Sequence, residues 1–330
     1  MDTLLDVQDL ATSFFTRDGE VQAVRGISLR VERGQSVGLV GESGCGKSVS
    51  MLSLLGLLED AGRVKRGRIV FQGRDLRRVS ERELERVRGR EIAMIFQDPM
   101  TSLNPVFKVG EQLTEHIRKH EKIGKQAARA RAVDMLERVG IPNAADRIDQ
   151  YPIEFSGGMR QRVMIAIALI AGPKLIIADE PTTALDVTIQ AQILEIMKSV
   201  NAESNTGIIL ITHDLGIVAD ICDVVNVMYG GLIVERGPVN AIYGDPRHPY
   251  TRGLLASVPN PETETHERLV PIPGQPPDLF SPPAGCPFAV RCPHVMKVCM
   301  DRMPPYFPVA DGHEAACWLE HELARKGAPA

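Results

Sequence analysis

The sequence predicts an α/β fold: one large domain, followed by a small proline- and cysteine-rich domain at the C-terminal end. Three apolar runs compatible with buried strands, at residues 36–40, 174–178 and 207–212, indicate the first domain. A glycine-rich loop after the first run supports this prediction. The second domain is indicated by proline and four of the six cysteines, which concentrate near the C-terminal end. A chain of 330 residues can bury a sizeable core, and we expect a domain boundary near residues 240–250.

The glycine-rich loop matches the phosphate-loop pattern in its strand–loop–helix setting, with the helix-compatible segment beginning at Val49. Glycines allow backbone N–H groups to converge on phosphate oxygens, and the positive end of the following helix favours an anion. We expect Lys47 to contact the β- and γ-phosphates and the Ser48 hydroxyl to ligate Mg²⁺. Cys45 is interpreted as a small filler rather than a reactive thiol. The expected ATP-binding residues are those of the loop and the residue after it: Gly41, Glu42, Ser43, Gly44, Cys45, Gly46, Lys47, Ser48 and Val49.

Two later predicted strands place polar side chains at the carboxyl edge of the sheet, where open α/β sheets bind ligands. Asp179 follows the strand at 174–178 and suits a Mg²⁺ contact. Glu180 is the candidate that polarises or deprotonates an attacking water. His213 follows the strand at 207–212, where it is expected to reach the γ-phosphate or that water.

Six ordered motifs resemble those of ATP-binding cassette (ABC) ATPases. They are residues 41–48, Gln97, residues 155–161, residues 175–180, residues 184–186 and His213. The resemblance covers roughly residues 4–240 and implies a P-loop NTPase with a RecA-like core, an antiparallel N-terminal sheet and a helical subdomain at about residues 98–165. It also implies head-to-tail dimers that hold ATP between one subunit's phosphate loop and the other's signature element.

The signature element, residues 155–161, is the part implied to contact the partner's ATP. Ser156, Gly157 and Gly158 would do so through hydroxyl and backbone N–H groups at a helix start. Met159 stands where the family usually has glutamine, and it cannot make that side chain's hydrogen bonds. The resemblance adds Asp186 to this set of contacts.

Further roles follow from the same resemblance. Gln97, after a predicted strand at 91–96, is implied to contact Mg²⁺ together with Ser48 and Asp179, and to couple γ-phosphate occupancy to a membrane partner. Phe14 lies where the family places an aromatic ring that stacks on adenine, although a core position for Phe14 and a role for Phe15 remain open.

Other segments resemble the dipeptide/oligopeptide importer subfamily, most closely the first of the two ATPases that these importers usually carry. They are residues 97–105, 155–162, 247–251, 272–277, 285–288 and 291–293. We therefore expect a nucleotide-binding domain at 1–245 and a subfamily-specific C-terminal domain at 246–330. The resemblance implies a heterodimer with a sister ATPase, beneath two permease subunits fed by an extracytoplasmic binding protein. Nickel or another small solute remains an alternative cargo.

The C-terminal cysteines suit a metal site. Five residues separate Cys286 from Cys292, six separate Cys292 from Cys299, and seventeen separate Cys299 from Cys317. Four thiolates fit either Zn²⁺ or a [4Fe–4S] cluster, and the spacing does not choose between them. The resemblance implies a [4Fe–4S] cluster; unligated thiols packed in a small core are the alternative. His294 and His313 are substitute ligands for a zinc site, although both are expected to face solvent.

Charge and hydropathy narrow the function further. The net charge of -4 is mixed along the chain and gives no footprint for nucleic acid, which disfavours an ABC ATPase acting on DNA or ribosomes. No apolar run approaches the roughly 18 residues of a membrane span, and residues 1–6 do not resemble a signal peptide. We expect a cytoplasmic protein, held at the inner face of the membrane by its permease subunits.

Overall fold

The computed structural model describes residues 2–98, 102–182, 187–257 and 271–327. Within it the chain divides into two compact units. The first comprises residues 1–4, 31–36 and 78–210, and the second comprises residues 5–30, 37–77 and 211–330.

The described strands are numbered in chain order. They are β1 (Thr3–Thr16), β2 (Gly19–Glu32), β3 (Ser36–Val40), β4 (Gly62–Phe71), β5 (Arg74–Asp75), β6 (Ile92–Ile95), β7 (Leu175–Asp179), β8 (Gly207–Thr212), β9 (Val224–Tyr229), β10 (Leu232–Pro238), β11 (Phe307–Ala310) and β12 (His313–Ala315).

Helices are named by their ranges. The described α-helices span Lys47–Leu55, Glu81–Val87, Val109–His120, Lys125–Arg138, Ala144–Arg147, Gly157–Leu169, Val187–Ser204, Leu215–Ile221, Val239–Gly244, Pro249–Ala256, Lys297–Asp301 and Glu322–Gly327. Short 3-10 turns span Pro152–Glu154, Ala289–Arg291 and Trp318–Glu320.

The second unit contains the predicted antiparallel N-terminal sheet, with strand order β2-β1-β4-β5. Strands β1 and β4 run antiparallel, pairing Leu5 with Phe71 and Phe14 with Gly62. Leu5 and Phe71 are fully buried, which anchors one end of this pairing in the core.

The second unit also contains a mixed sheet around β3. All five residues of β3 are buried, as expected for a strand that is covered on both faces. Strand β9 runs parallel to β3, and β10 pairs antiparallel with β9. The C-terminal hairpin of β11 and β12 extends this sheet, because β12 pairs antiparallel with β10. Backbone hydrogen bonds therefore join the proline-rich tail to the strands that support the phosphate loop.

The first unit pairs β6 parallel with β7, and β8 lies on the other side of β7. The helices Val109–His120, Lys125–Arg138 and Gly157–Leu169 pack against one another. The predicted strand at 91–96 is shorter in the structure, since β6 ends at Ile95 and Phe96 is exposed. Gln97 therefore lies in the loop after the strand.

The helices bear on the question of membrane insertion. Among the described residues, none of them combines the length and the apolar character that a bilayer span requires.

Candidate functional site

The phosphate loop follows β3 and ends at the helix Lys47–Leu55. Gly41 adopts a φ of 150°, and a Cβ atom there would lie 2.1 Å from the carbonyl oxygen of Met228 in β9. Gly46, the residue before the helix, adopts a φ of 101°, and a Cβ atom there would lie 2.3 Å from the carbonyl oxygen of Ala23. Both positions therefore require glycine, because of the backbone conformation and the close approach of neighbouring backbone.

Lys47 is buried, and its ammonium group lies against the loop backbone. Its Nζ donates to the carbonyl oxygens of Gly41 at 2.7 Å and Glu42 at 3.0 Å. Burial raises the pKa of the Cys45 thiol, so this cysteine is protonated at neutral pH. The positive Lys47 side chain is thus held against the backbone of the phosphate loop.

Two C-terminal residues contact the loop, and sequence reasoning gave neither of them a role. The Tyr250 hydroxyl accepts a hydrogen bond from the backbone N–H of Glu42 at 2.8 Å. Arg291 donates to both carboxylate oxygens of Glu42, at 2.8 and 3.0 Å. Both residues lie in segments that resemble the importer subfamily, and this resemblance was the only sign in the sequence that they matter. Their contact with the phosphate loop is visible only in the folded structure.

In the first unit, the structure brings Gln97 and Glu180 together. The Gln97 amide Nε2 donates to Glu180 Oε2 at 2.9 Å. Asp179 is the buried last residue of β7, and Glu180 follows it with a φ of 46°. A left-handed conformation is unfavourable for glutamate, and residues held in it cluster at functional sites. Two consecutive carboxylates thus lie at the end of β7.

The signature element begins the helix Gly157–Leu169, as the sequence predicts. Ser156 is its N-cap residue, and the serine oxygen accepts a hydrogen bond from the backbone N–H of Met159 at 3.4 Å. The Met159 sulfur lies 4.0 Å from Arg147 Nη1. Gln161, buried in the same helix, donates to the carbonyl oxygen of Pro181 at 2.6 Å. Sequence reasoning missed this link between the signature helix and the residue after Glu180.

Three further candidate residues have the following positions. His213 is exposed and directly follows β8. Phe14 is half-buried beside Gly62, whereas Phe15 exposes 49% of its surface. Asp186 lies outside the described residues.

The four C-terminal cysteines converge on one small cavity of about 10 Å³. His248 and His294 also border it, and His248 Nε2 lies 4.0 Å from Cys286 Sγ. The expectation that His313 faces solvent was wrong. It is fully buried, and its Nε2 lies 2.8 Å from Glu235 Oε1, because β12 pairs with β10 and brings the two side chains together.

The residues around this cavity bear on metal ligation. Across the described ranges, no group of three or more His, Cys, Asp or Glu could hold a metal ion. All four C-terminal cysteines nevertheless line one space, and four thiolates are a donor set that either Zn²⁺ or a [4Fe–4S] cluster uses. Burial raises the pKa of Cys286 to about 11 and that of Cys317 to about 12. A bound cation would therefore be needed to keep these thiols deprotonated.

The loop geometry predicts different effects for two glycine substitutions. Gly46→Ala is expected to displace the loop and weaken ATP binding by about tenfold or more, because its Cβ would meet backbone atoms. Gly44 has a φ of 78°, but a Cβ added there would have no atom within 4 Å, so Gly44→Ala adds backbone strain without a clash and is expected to lose less affinity. Titration with a fluorescent ATP analogue measures both; equal losses would contradict this account.

Two family models match the chain. Residues 24–183 match the family described as ABC transporter, and residues 234–299 match the C-terminal region of oligopeptide/dipeptide transporters. The second match includes Cys286, Cys292 and Cys299, so the cysteine-rich segment is a recognised part of this group.

Curated relatives match along nearly the whole chain. The oligopeptide transport ATP-binding protein OppD of Bacillus subtilis is 57% identical over 327 residues, which cover 99% of this chain and 91% of that protein. The dipeptide transport ATP-binding protein DppD of the same organism is 53% identical, covering 98% of this chain and 97% of the relative. OppD of Salmonella typhimurium is 50% identical, covering 96% and 93%.

Solved structures share the fold of the cassette. A dimeric, post-hydrolysis ATP-binding cassette, MJ0796, bound to ADP and Pi superposes with a TM-score of 0.65 at 24% identity, covering 71% of this chain and 98% of that one. The cassette cbiO1 of Clostridium perfringens superposes with a TM-score of 0.63 at 28% identity, covering 74% and 92%. Taken with the loop geometry and the two family matches, these similarities show that the chain belongs to the ABC transporter ATPases, in the oligopeptide/dipeptide group.

Proposed function

We propose that this protein is the ATP-binding and ATP-hydrolysing subunit that energises import of dipeptides or oligopeptides through an ABC transporter. The observation that carries the proposal is the similarity to oligopeptide and dipeptide transport ATP-binding proteins, which extends through both the cassette and the tail. Its partners would be a sister ATPase and two permease subunits at the cytoplasmic face of the inner membrane, served by an extracytoplasmic binding protein.

We divide the chain by role at residue 245, with the cassette before it and the subfamily-specific domain after it. In the cassette, Lys47 and backbone N–H groups of the phosphate loop, apart from the Glu42 N–H that is paired with Tyr250, bind the phosphates. Phe14 stacks on adenine. Ser48, Asp179 and Gln97 are the proposed holders of Mg²⁺. When bound, this ion neutralises charge on the phosphate oxygens.

Glu180 is the proposed general base, and Gln97 orients it. The hydrogen bond from Gln97 Nε2 to Glu180 Oε2 holds the carboxylate, which is the proposed acceptor for a proton from the attacking water. Because Gln97 lies in the loop after β6, a movement of that loop would reorient the catalytic carboxylate. His213 is proposed to assist by contacting the γ-phosphate or the same water.

The signature element is proposed to close on ATP bound by the sister subunit. Ser156 and Gly157 are exposed at the start of a 13-residue helix, which suits contact with an anion supplied from outside the chain. Gly158, Met159 and Asp186 complete the proposed contact surface. ATP would favour the closed dimer, and hydrolysis with phosphate release would reopen it.

For the tail, we propose that Cys286, Cys292, Cys299 and Cys317 hold a [4Fe–4S] cluster with a structural role. The support is that all four cysteines line one cavity, in a segment that largely matches the C-terminal region of oligopeptide/dipeptide transporters. A cluster there would cross-link a segment that is rich in proline and short of regular structure.

Transport itself supplies the test of the class of cargo. Uptake of labelled dipeptides and oligopeptides, with nickel in parallel, is measured in cells whose only copy is either the wild type or Lys47→Ala. We expect the variant to abolish peptide uptake, because the loop loses its positive side chain for the phosphates. Intact peptide uptake combined with loss of nickel uptake would instead assign the protein to metal import.

Replacement of the proposed base separates binding from hydrolysis. Glu180→Gln is expected to bind ATP as tightly as the wild type but to turn over about a hundredfold or more slowly, because the proton acceptor is removed. Glu195→Gln, which changes an exposed carboxylate on the helix Val187–Ser204, serves as the matched control. Phosphate release and nucleotide binding are the measurements, and near-normal turnover in Glu180→Gln would reject the assignment.

The cluster proposal is tested without reference to activity. Cys292→Ser is expected to lose iron and acid-labile sulfide, since it removes one of four ligands. Cys222→Ser changes a buried cysteine that is not among the residues lining the cavity, and it should retain both elements. Iron and sulfide contents unchanged in Cys292→Ser would remove this residue from the ligand set. Zinc in place of iron in the wild type would overturn the cluster.

A further inference from the structure

We propose that Arg291 is a positioning residue for the phosphate loop and that it neutralises a loop carboxylate which would otherwise repel ATP. The inference rests on the proposed function, because it requires that the phosphate loop binds ATP. Arg291 Nη1 lies 2.8 Å from Glu42 Oε2, and Nη2 lies 3.0 Å from Oε1. Two parallel N–H···O bonds to one carboxylate fix the orientation of both side chains as well as their separation.

The Arg291 guanidinium has an acceptor for each of its five N–H groups. Besides the two bonds to Glu42, Nη1 donates to the Tyr229 hydroxyl at 3.0 Å. Nη2 donates to the carbonyl oxygen of Ile272 at 3.0 Å, and Nε donates to that of Pro273 at 2.9 Å. The side chain is only 5% exposed, and a guanidinium stays charged in proteins. Arg291 is therefore a fixed, charged part of the fold.

A second contact holds the backbone of the same loop residue. The Glu42 N–H donates to the Tyr250 hydroxyl, so this N–H is already paired within the protein. Tyr250 packs against Tyr229, with ring centroids 4.5 Å apart, and Tyr229 in turn accepts from Arg291. The side chain and the backbone of Glu42 are thus held by one connected group of C-terminal and β9 residues.

The charge of Glu42 matters because it belongs to an anion-binding loop. Lys47 Nζ lies 3.0 Å from the Glu42 carbonyl oxygen, which places this residue in the loop wall that receives the phosphates. An unpaired carboxylate in the wall would repel a triphosphate, and partial burial would weaken the screening of that repulsion. Pairing with Arg291 removes the net charge and fixes the loop backbone.

The position of Arg291 depends on the cysteine-rich tail. It is the last residue of the 3-10 turn Ala289–Arg291 and directly precedes Cys292. The backbone N–H of Cys286 donates to the carbonyl oxygen of Cys299 at 2.8 Å, which closes the segment that carries this turn. Order in this part of the tail therefore reaches the nucleotide site through the Arg291 side chain, beside the contact that Tyr250 makes.

The test uses full-length protein and a double-mutant cycle. Arg291→Met is expected to raise the Kd for ATP roughly tenfold and to raise KM more than it lowers kcat, because an unpaired carboxylate now opposes the phosphates. In a Glu42→Gln background, the same substitution should change the Kd by less than about twofold, since no charge is left to neutralise. Arg236→Met is the control. It removes a similar ion pair, between Arg236 of β10 and Glu314 of β12, and should leave the Kd for ATP unchanged.

A tenfold loss in both backgrounds would reduce Arg291 to a structural role, and an unchanged Kd in Arg291→Met would remove it from the site. Should Arg291→Met fail to fold, Arg291→Lys takes its place. Lysine keeps the positive charge but cannot make the two parallel hydrogen bonds to the Glu42 carboxylate. A Kd for ATP equal to that of the wild type would then overturn the positioning role. If the wild type binds no ATP, or Lys47→Ala binds it normally, the proposed function itself fails and this inference falls with it.

Discussion

The close approach of the phosphate loop to β9 is the constraint on which the nucleotide site depends. There is no room for a side chain at Gly41 beside the carbonyl oxygen of Met228, so the loop passes close to that strand only with glycine at this position. The next residue of β9, Tyr229, contacts both Tyr250 and Arg291. One strand therefore packs against the loop and also contacts, through the Tyr229 side chain, the two tail residues that hold Glu42.

A comparable dependence holds in the first unit, where Glu180 adopts a left-handed backbone conformation at the end of β7. Such a conformation is unfavourable by itself and persists when neighbouring contacts impose it. Gln97 holds the Glu180 carboxylate, and Gln161 holds the carbonyl oxygen of Pro181. The candidate base is thus placed by one residue in the loop after β6 and one in the signature helix, the two segments implied to respond to nucleotide and partner.

The C-terminal tail contributes both strands to the sheet and the residues around the cysteine-lined cavity. It adds β11 and β12 to the sheet beside β10, and it surrounds a small cavity with four cysteines. Its proline content prevents long helices, so fixed order has to come from strand pairing and buried polar contacts. The buried Glu235 shows this dependence, since it accepts hydrogen bonds from the backbone of Arg247 and His248 and from the side chain of His313.

The sequence alone determined the fold class, the family and the order of the motifs, because a phosphate loop needs glycine, lysine and serine at fixed spacing and buried strands need apolar runs. It also predicted the helix start at Ser156. Tertiary structure decided which distant residues meet: the pairing of Arg291 with Glu42, the burial of His313 and the convergence of the cysteines all join segments far apart in the chain. Local spacing carries no information about such contacts, since they arise only when strands and turns from separate segments are packed side by side.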